Sequence, residues 1–101
     1  MVVLSTFPRR KEAERVAKGL IEKRLAACCI LLPNITSFFR WQGKQERARE
    51  WLLLIKTPSS CLKKVNTFLQ RSHPYELPEM IGLPVAVGEE SYLAWIRQAS
   101  R

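Results

Sequence analysis

Seven elements in the order β-α-β-β-α-β-α predict an α+β fold. Two observations carry that prediction and a third extends it. Stretches rich in β-branched and apolar residues alternate with stripes repeating at three- and four-residue steps. Two of the strand stretches follow one another directly, with "WQGK" between them. Both of those arms are about twice the usual strand length.

"MVVLST" opens the chain as a short strand. Thr6 is then a helix cap, with Pro8 near the first turn. Ala13, Val16, Ala17, Leu20, Ile21 and Leu25 form one apolar stripe, on a helix predicted to run to about residue 24. "AACCILLPNITSFFRW" and "ERAREWLLLIKT" are the long strands, and Gly43 gives the turn between them its backbone freedom. Pro33 has no N–H for a ladder, so a bulge, bend or edge position is expected there. Thr57 and Pro58 repeat the cap-and-proline opening. Leu62, Val65, Phe68 and Leu69 make a second helical stripe that ends near Ser72. "EMIGLPVAV" reads as a fourth strand. "GEESYLAWIRQAS" is a last helix, with Tyr92, Trp95, Ile96 and Ala99 on one face and Glu89 and Glu90 in its first turn.

Two split β-α-β units joined by a hairpin make a ferredoxin-like βαββαβ sandwich, here with an extra C-terminal helix, in a single domain over residues 1–101. The hairpin does not fit inside such a domain. At ~3.3 Å per residue each arm reaches roughly 40 Å, so it should project beyond its own sheet. Leu52 and Leu54 point one way, and Trp51, Leu53 and Ile55 the other. A sheet covered on one side should be polar on its second face. An apolar second face predicts that other copies of the chain cover it.

The net charge is +8, from 17 Lys and Arg against nine Glu and no Asp. The basic residues are scattered and no recognition motif accompanies them, so specific nucleic-acid binding is not the expectation. The longest apolar run, "LAACCILL", is too short to span a bilayer. No signal peptide is evident and the cytoplasm is the default location. Cys28, Cys29 and Cys61 show no CxxC spacing and read as reduced thiols. There is no glycine-rich phosphate loop, nucleophile elbow or HExxH, and an aspartate-based triad is impossible. No catalytic residue is assigned; a weak hydrolase built on His73 with Cys61 or Ser72 is the least supported reading.

The stretch "RSHPYELPEMIGLP" holds the chain's single histidine, His73, together with Pro74, Pro78 and Pro84. It is either a site or a stiff joint. Pro74 disfavours helix at His73, which ends the second helix there. His73 is also a candidate ligand for copper or another divalent metal, with Glu76 or Glu79 adding oxygen.

"RLAACCILLPNITSFFRWQGK", "IKT", "HPYELPEMIGLPV" and "YLAWI" together resemble the divalent-cation tolerance family, CutA, over nearly the whole chain. The resemblance implies a tight homotrimer in which long hairpins pair across subunits, an architecture similar to the PII signalling proteins. It implies a role in metal-ion tolerance or signalling, through copper or a small ligand, and no catalysed reaction. Trp41, Lys56, Tyr75, Glu76, Glu79 and Trp95 are the polar and aromatic residues of these motifs, and are candidates to line a cleft between subunits. Ser5 and Ser72 stand where some members carry cysteine and histidine, which weakens the expectation of copper. The alternative from another class is a trimeric scaffold that docks an acidic protein or nucleic acid by charge.

Overall fold

In the first strand, β1 (Val2–Phe7), alternate residues are buried: Val3, Ser5 and Phe7 turn towards the helices. The computed structural model describes residues 1–100. The remaining elements are α1 (Arg10–Glu22), β2 (Cys28–Trp41), β3 (Lys44–Lys56), a single 3-10 turn (Ser59–Cys61), α2 (Leu62–Ser72), β4 (Ile81–Leu83) and α3 (Glu90–Ala99). The four strands form one antiparallel sheet in the order β2-β3-β1-β4, the ferredoxin-like arrangement.

The core lies between this sheet and α1 and α2. Ala13, Val16 and Leu20 come from α1, Val65 and Leu69 from α2, and Val3, Phe7, Leu53 and Ile55 from the strands. The helices approach closely. A Cβ on Gly19 would sit 2.6 Å from the Phe68 ring, so any larger residue there would push that ring aside where α1 and α2 meet.

The hairpin projects as its length requires. β1 pairs with residues 51–56 of β3, whereas residues 44–50 pair only with β2, which leaves a two-stranded ribbon beyond the sheet. The molecule is 45 Å along its longest axis. At the tip Gln42 and Gly43 both have positive φ, 50° and 79°, as a two-residue type I′ turn requires. Pro33 does mark a bulge. The register shifts between Leu32 and Ile35, so Pro33 and Asn34 together oppose Trp51, and Asn34 takes a left-handed φ of 57°.

Five expectations need correction. Thr6 is not a helix cap, because β1 continues through Phe7, paired with Trp51; the N-cap is Arg9, without a side-chain bond. The first helix stops at Glu22, where Arg24 at φ 59° and the Leu25 N–H to Leu20 O bond close a Schellman turn. Thr57 does not cap α2; it is fully buried and its hydroxyl donates to Leu25 O at 2.7 Å. The fourth strand is only Ile81–Leu83, paired with Val2–Leu4. Pro84 brings no N–H to extend that ladder. The α3 stripe is also divided: Ile96 is buried, while Tyr92 and Trp95 are 42% and 43% exposed.

Candidate functional site

The proline-rich stretch wraps around the end of β1, from the helix-covered face of the sheet to the open one. His73 caps α2, its N–H bonded to Leu69 O, and Pro74 follows it. Its ring stacks on Phe7, centroids 4.1 Å apart, on the helix side. Two residues later the Tyr75 ring lies 5.1 Å from the histidine, and its hydroxyl donates to Glu50 Oε2 at 2.6 Å. Glu50 belongs to the other face, in line with Leu52 and Leu54, and is only 6% exposed.

Both nitrogens of His73 are in use. Nε2 lies 2.8 Å from the Thr6 carbonyl oxygen, so it carries the proton and donates. Nδ1 accepts the Tyr75 N–H at 3.1 Å. Burial lowers the histidine pKa, with opposing pulls from the Thr6 carbonyl, Glu12 and Glu50. The ring is therefore neutral at pH 7 and fixed in one tautomer. Neither nitrogen is turned to Ser72 or Cys61, so the hydrolase dyad does not form.

Burial, then the hydrogen bond to Glu50, raises the Tyr75 pKa, which keeps the phenol a donor. Glu79 is raised as well, first by burial and then by the Glu50 charge; its hydrogen bond with Thr6 opposes this. Tyr75, Glu79, Glu50 and Thr6 thus form one polar cluster at an edge of the open face. Glu50 was missed in the sequence, although it heads the stripe Glu50, Leu52, Leu54, and a carboxylate in line with an apolar stripe was a legible signal. Glu76 is exposed beside the cluster.

The other candidates lie elsewhere. Lys56 ends β3, opposite Cys28 and Val2, and donates to the Tyr92 hydroxyl at 3.0 Å. Its ammonium also sits 5.2 Å from the Tyr92 ring centre, and Trp95 lies 5.5 Å from that ring. The bond to Tyr92 raises the Lys56 pKa. Trp41 is at the hairpin tip, opposite Lys44. Along β3 the Trp41, Tyr75–Glu79 and Lys56–Trp95 groups are spaced by about 20 Å each, at ~3.3 Å per residue. One protomer therefore brings together only Tyr75 with Glu79, and Lys56 with Trp95.

The donor set does not fit copper within one chain. Among the described residues no group of three His, Cys or Glu side chains is placed to hold a metal. Ser5, beneath the helices, has a buried hydroxyl with no hydrogen-bond partner, and Ser72 uses its carbonyl to accept from Arg15. Cys28, Cys29 and Cys61 form no disulfide, and burial pushes Cys29 up to about 12, away from the thiolate that binds metal. A concavity of about 1040 Å³ runs between α1 and α2 among charges of both signs, and none of Thr6, Glu50, Tyr75 or Glu79 lines it.

A ferredoxin-like domain with one apolar sheet face left open and a ribbon reaching past it defines a class of small α+β proteins. The profile of CutA1, divalent ion tolerance protein, matches residues 1–99. The chain is 46% identical over 95 residues to Protein CutA of Homo sapiens, covering 94% of this chain and 53% of that protein. It is 43% identical over 97 residues to the divalent-cation tolerance protein CutA of Thermus thermophilus, covering 96% and 94%. The solved Thermus thermophilus structure superposes with a TM-score of 0.96 at 42% identity, covering 99% of this chain and 97% of that one. A structure described as the periplasmic divalent cation tolerance protein CutA of Archaeoglobus fulgidus gives 0.93 at 39% identity, covering 97% and 95%. The chain spans about half the length of the human relative and nearly all of the Thermus one. It belongs to the CutA1 divalent ion tolerance family, which is named for tolerance of ions and not for a reaction.

Proposed function

We propose that this chain acts as a homotrimer that supports divalent-cation tolerance by binding a small ligand or ion in clefts between subunits, without catalysis. The observation that carries this reading is the open face of the sheet. Val2, Leu4, Leu52 and Leu54 are half-buried there, and Ile30, Leu32, Ile81 and Leu83 are 38% to 50% exposed. Helices cover only the opposite face. An apolar surface of this extent on a small domain marks an interface. Covering it with copies would also bring the hairpin tip of one subunit, with Trp41, towards groups of another. The Lys56–Tyr92–Trp95 group supplies a cation and ring walls for an anionic ligand; Tyr75, Glu76 and Glu79 supply oxygen for a cation. His73 then positions the Tyr75 loop, and binds copper only by giving up the Tyr75 N–H. Among the described residues no helix is long and apolar enough to cross a membrane. The cytoplasm remains the proposed location, although one relative is described as periplasmic.

Native mass spectrometry of metal-stripped protein, before and after limiting Cu(II), tests this with His73→Ala in parallel. A complex of three 11.7 kDa chains is expected. Copper uptake is expected to be the same in both proteins. A fixed copper stoichiometry lost in His73→Ala would make that residue a ligand after all, and a monomer would sink the interface.

A further inference from the structure

The ribbon has a second face that the trimer reading leaves unused. On β2, Ile35, Ser37, Phe39 and Trp41 continue the open apolar face, opposite Glu50, Ala48, Glu46 and Lys44. The other ribbon face carries Phe38 and Arg40 from β2, and Arg47 and Arg49 from β3, with no carboxylate among them. Phe38 is 68% exposed, and the Arg47 guanidinium lies over its ring at 6.0 Å. The same row of β3 continues to Trp51, where Arg10 of α1 lies over the indole at 5.7 Å. Arg10 is already paired with Glu14. Among the described residues, no salt bridge engages Arg40, Arg47 or Arg49.

This makes a track about 20 Å long, at ~3.3 Å per residue, in which three guanidiniums surround one outward-facing ring, Phe38, and the half-buried Trp51 closes the inner end. Charges alone have a bland explanation, since cations on an exposed hairpin discourage edge-to-edge aggregation. That does not account for a phenylalanine standing in solvent between them. Unpaired bases stack on such rings while arginines hold the backbone phosphates, and a base-paired duplex keeps its π-faces hidden. We infer that the Phe38–Arg40–Arg47–Arg49 face of the hairpin binds single-stranded nucleic acid, without strong sequence preference. The inference goes beyond ligand binding in the clefts, and depends on the trimer only in that copies cover the opposite ribbon face.

The test is fluorescence anisotropy of a labelled 20-nucleotide single strand with the full-length protein, over a salt series. Four proteins are compared: the natural chain, Phe38→Ala, Arg47→Ala/Arg49→Ala and Lys63→Ala/Lys64→Ala. Lys63 and Lys64 are exposed on α2, and their loss removes the same charge elsewhere. Circular dichroism and size-exclusion chromatography confirm fold and assembly for each. The expected result is binding that weakens with salt. The double arginine variant should lower the salt slope by about 1.4 per protomer, since each phosphate contact to a single strand contributes ~0.7. Phe38→Ala should weaken binding about fivefold or more. The lysine pair should leave affinity within about twofold. Equal losses from the lysine and arginine pairs would overturn the assignment in favour of bulk charge. Equal affinity for a duplex, with Phe38→Ala silent, would overturn it in favour of an unspecific polyanion surface. Sedimentation with phosphatidylserine vesicles that a single strand does not compete would make the surface a membrane contact instead. No binding at low salt would also overturn it.

Discussion

Leu53 and Leu54 are neighbours on one strand with different surroundings. Leu53 faces α1 and α2 and is fully buried, as are Val3, Phe7 and Ile55 on the same face. Leu54 faces the other way and shares its surface with Leu4, Ile30 and Ile81, all open to some degree. The side chains are alike, so the hydrophobic effect acts on both faces, and only one is satisfied within the chain. One face folds the chain, and the other is the face proposed to meet a second copy. The proline-rich joint links the two: His73 packs on Phe7, and Tyr75 reaches round to Glu50.

The sharpest way to break this comparison is to charge the open face. Leu54→Glu should reduce the assembly to a folded monomer, a threefold drop in mass by light scattering with helix content retained. A trimer that tolerates it would refute the division. Next in size, Leu53→Ala should cost about 2–5 kcal/mol in denaturant unfolding while leaving the subunit count unchanged. If the two substitutions act alike, the faces are not separate.

At the joint the expected effects are smaller. Tyr75→Phe leaves the nearly buried Glu50 carboxylate without its 2.6 Å donor, at a cost of about 1–3 kcal/mol in the same unfolding assay. An unchanged midpoint would mean that water replaces the phenol and the joint is loose.

The smallest effect is in pH dependence. His73 titrates below its ordinary 6.5 in the folded chain, chiefly because it is buried. Between those two values the unfolded chain binds more protons, so this stability is complete above 6.5 and lost as pH falls through the folded value. Glu79 is raised from 4.5 and has the opposite sign: the folded chain loses stability as pH rises through its own window. Thermal midpoints should therefore drop on acidification just below 6.5, and His73→Gln should flatten that part of the curve. An identical curve for the variant would place the titration elsewhere.

Much of this was legible because it depends on local chemistry. The period-two and period-3.6 patterns marked every element, Pro33 marked the bulge, Gly43 the turn and Pro74 the end of α2. The arm lengths against ~3.3 Å per residue announced the projecting ribbon. The misreadings came where a local signal competes with a long-range bond. Thr6 and Thr57 have the chemistry of caps, yet Thr6 lies in the β1 ladder and Thr57 hydrogen-bonds to Leu25, 32 residues away. The fourth strand read too long because β4 can be no longer than the stretch of β1 it pairs with. The candidate cleft drew residues from three motifs, and only the register showed that one chain holds them far apart.

The order of elements, the projecting hairpin and the apolar character of both sheet faces were already set by the chain alone, because side-chain periodicity and chain geometry are properties of the strand. The contacts of His73 and the face each arginine occupies came from the tertiary fold. Those depend on partners distant in sequence: Thr6 and Phe7 for the histidine, and a bulge that sets which β2 side chains line up with Arg47 and Arg49.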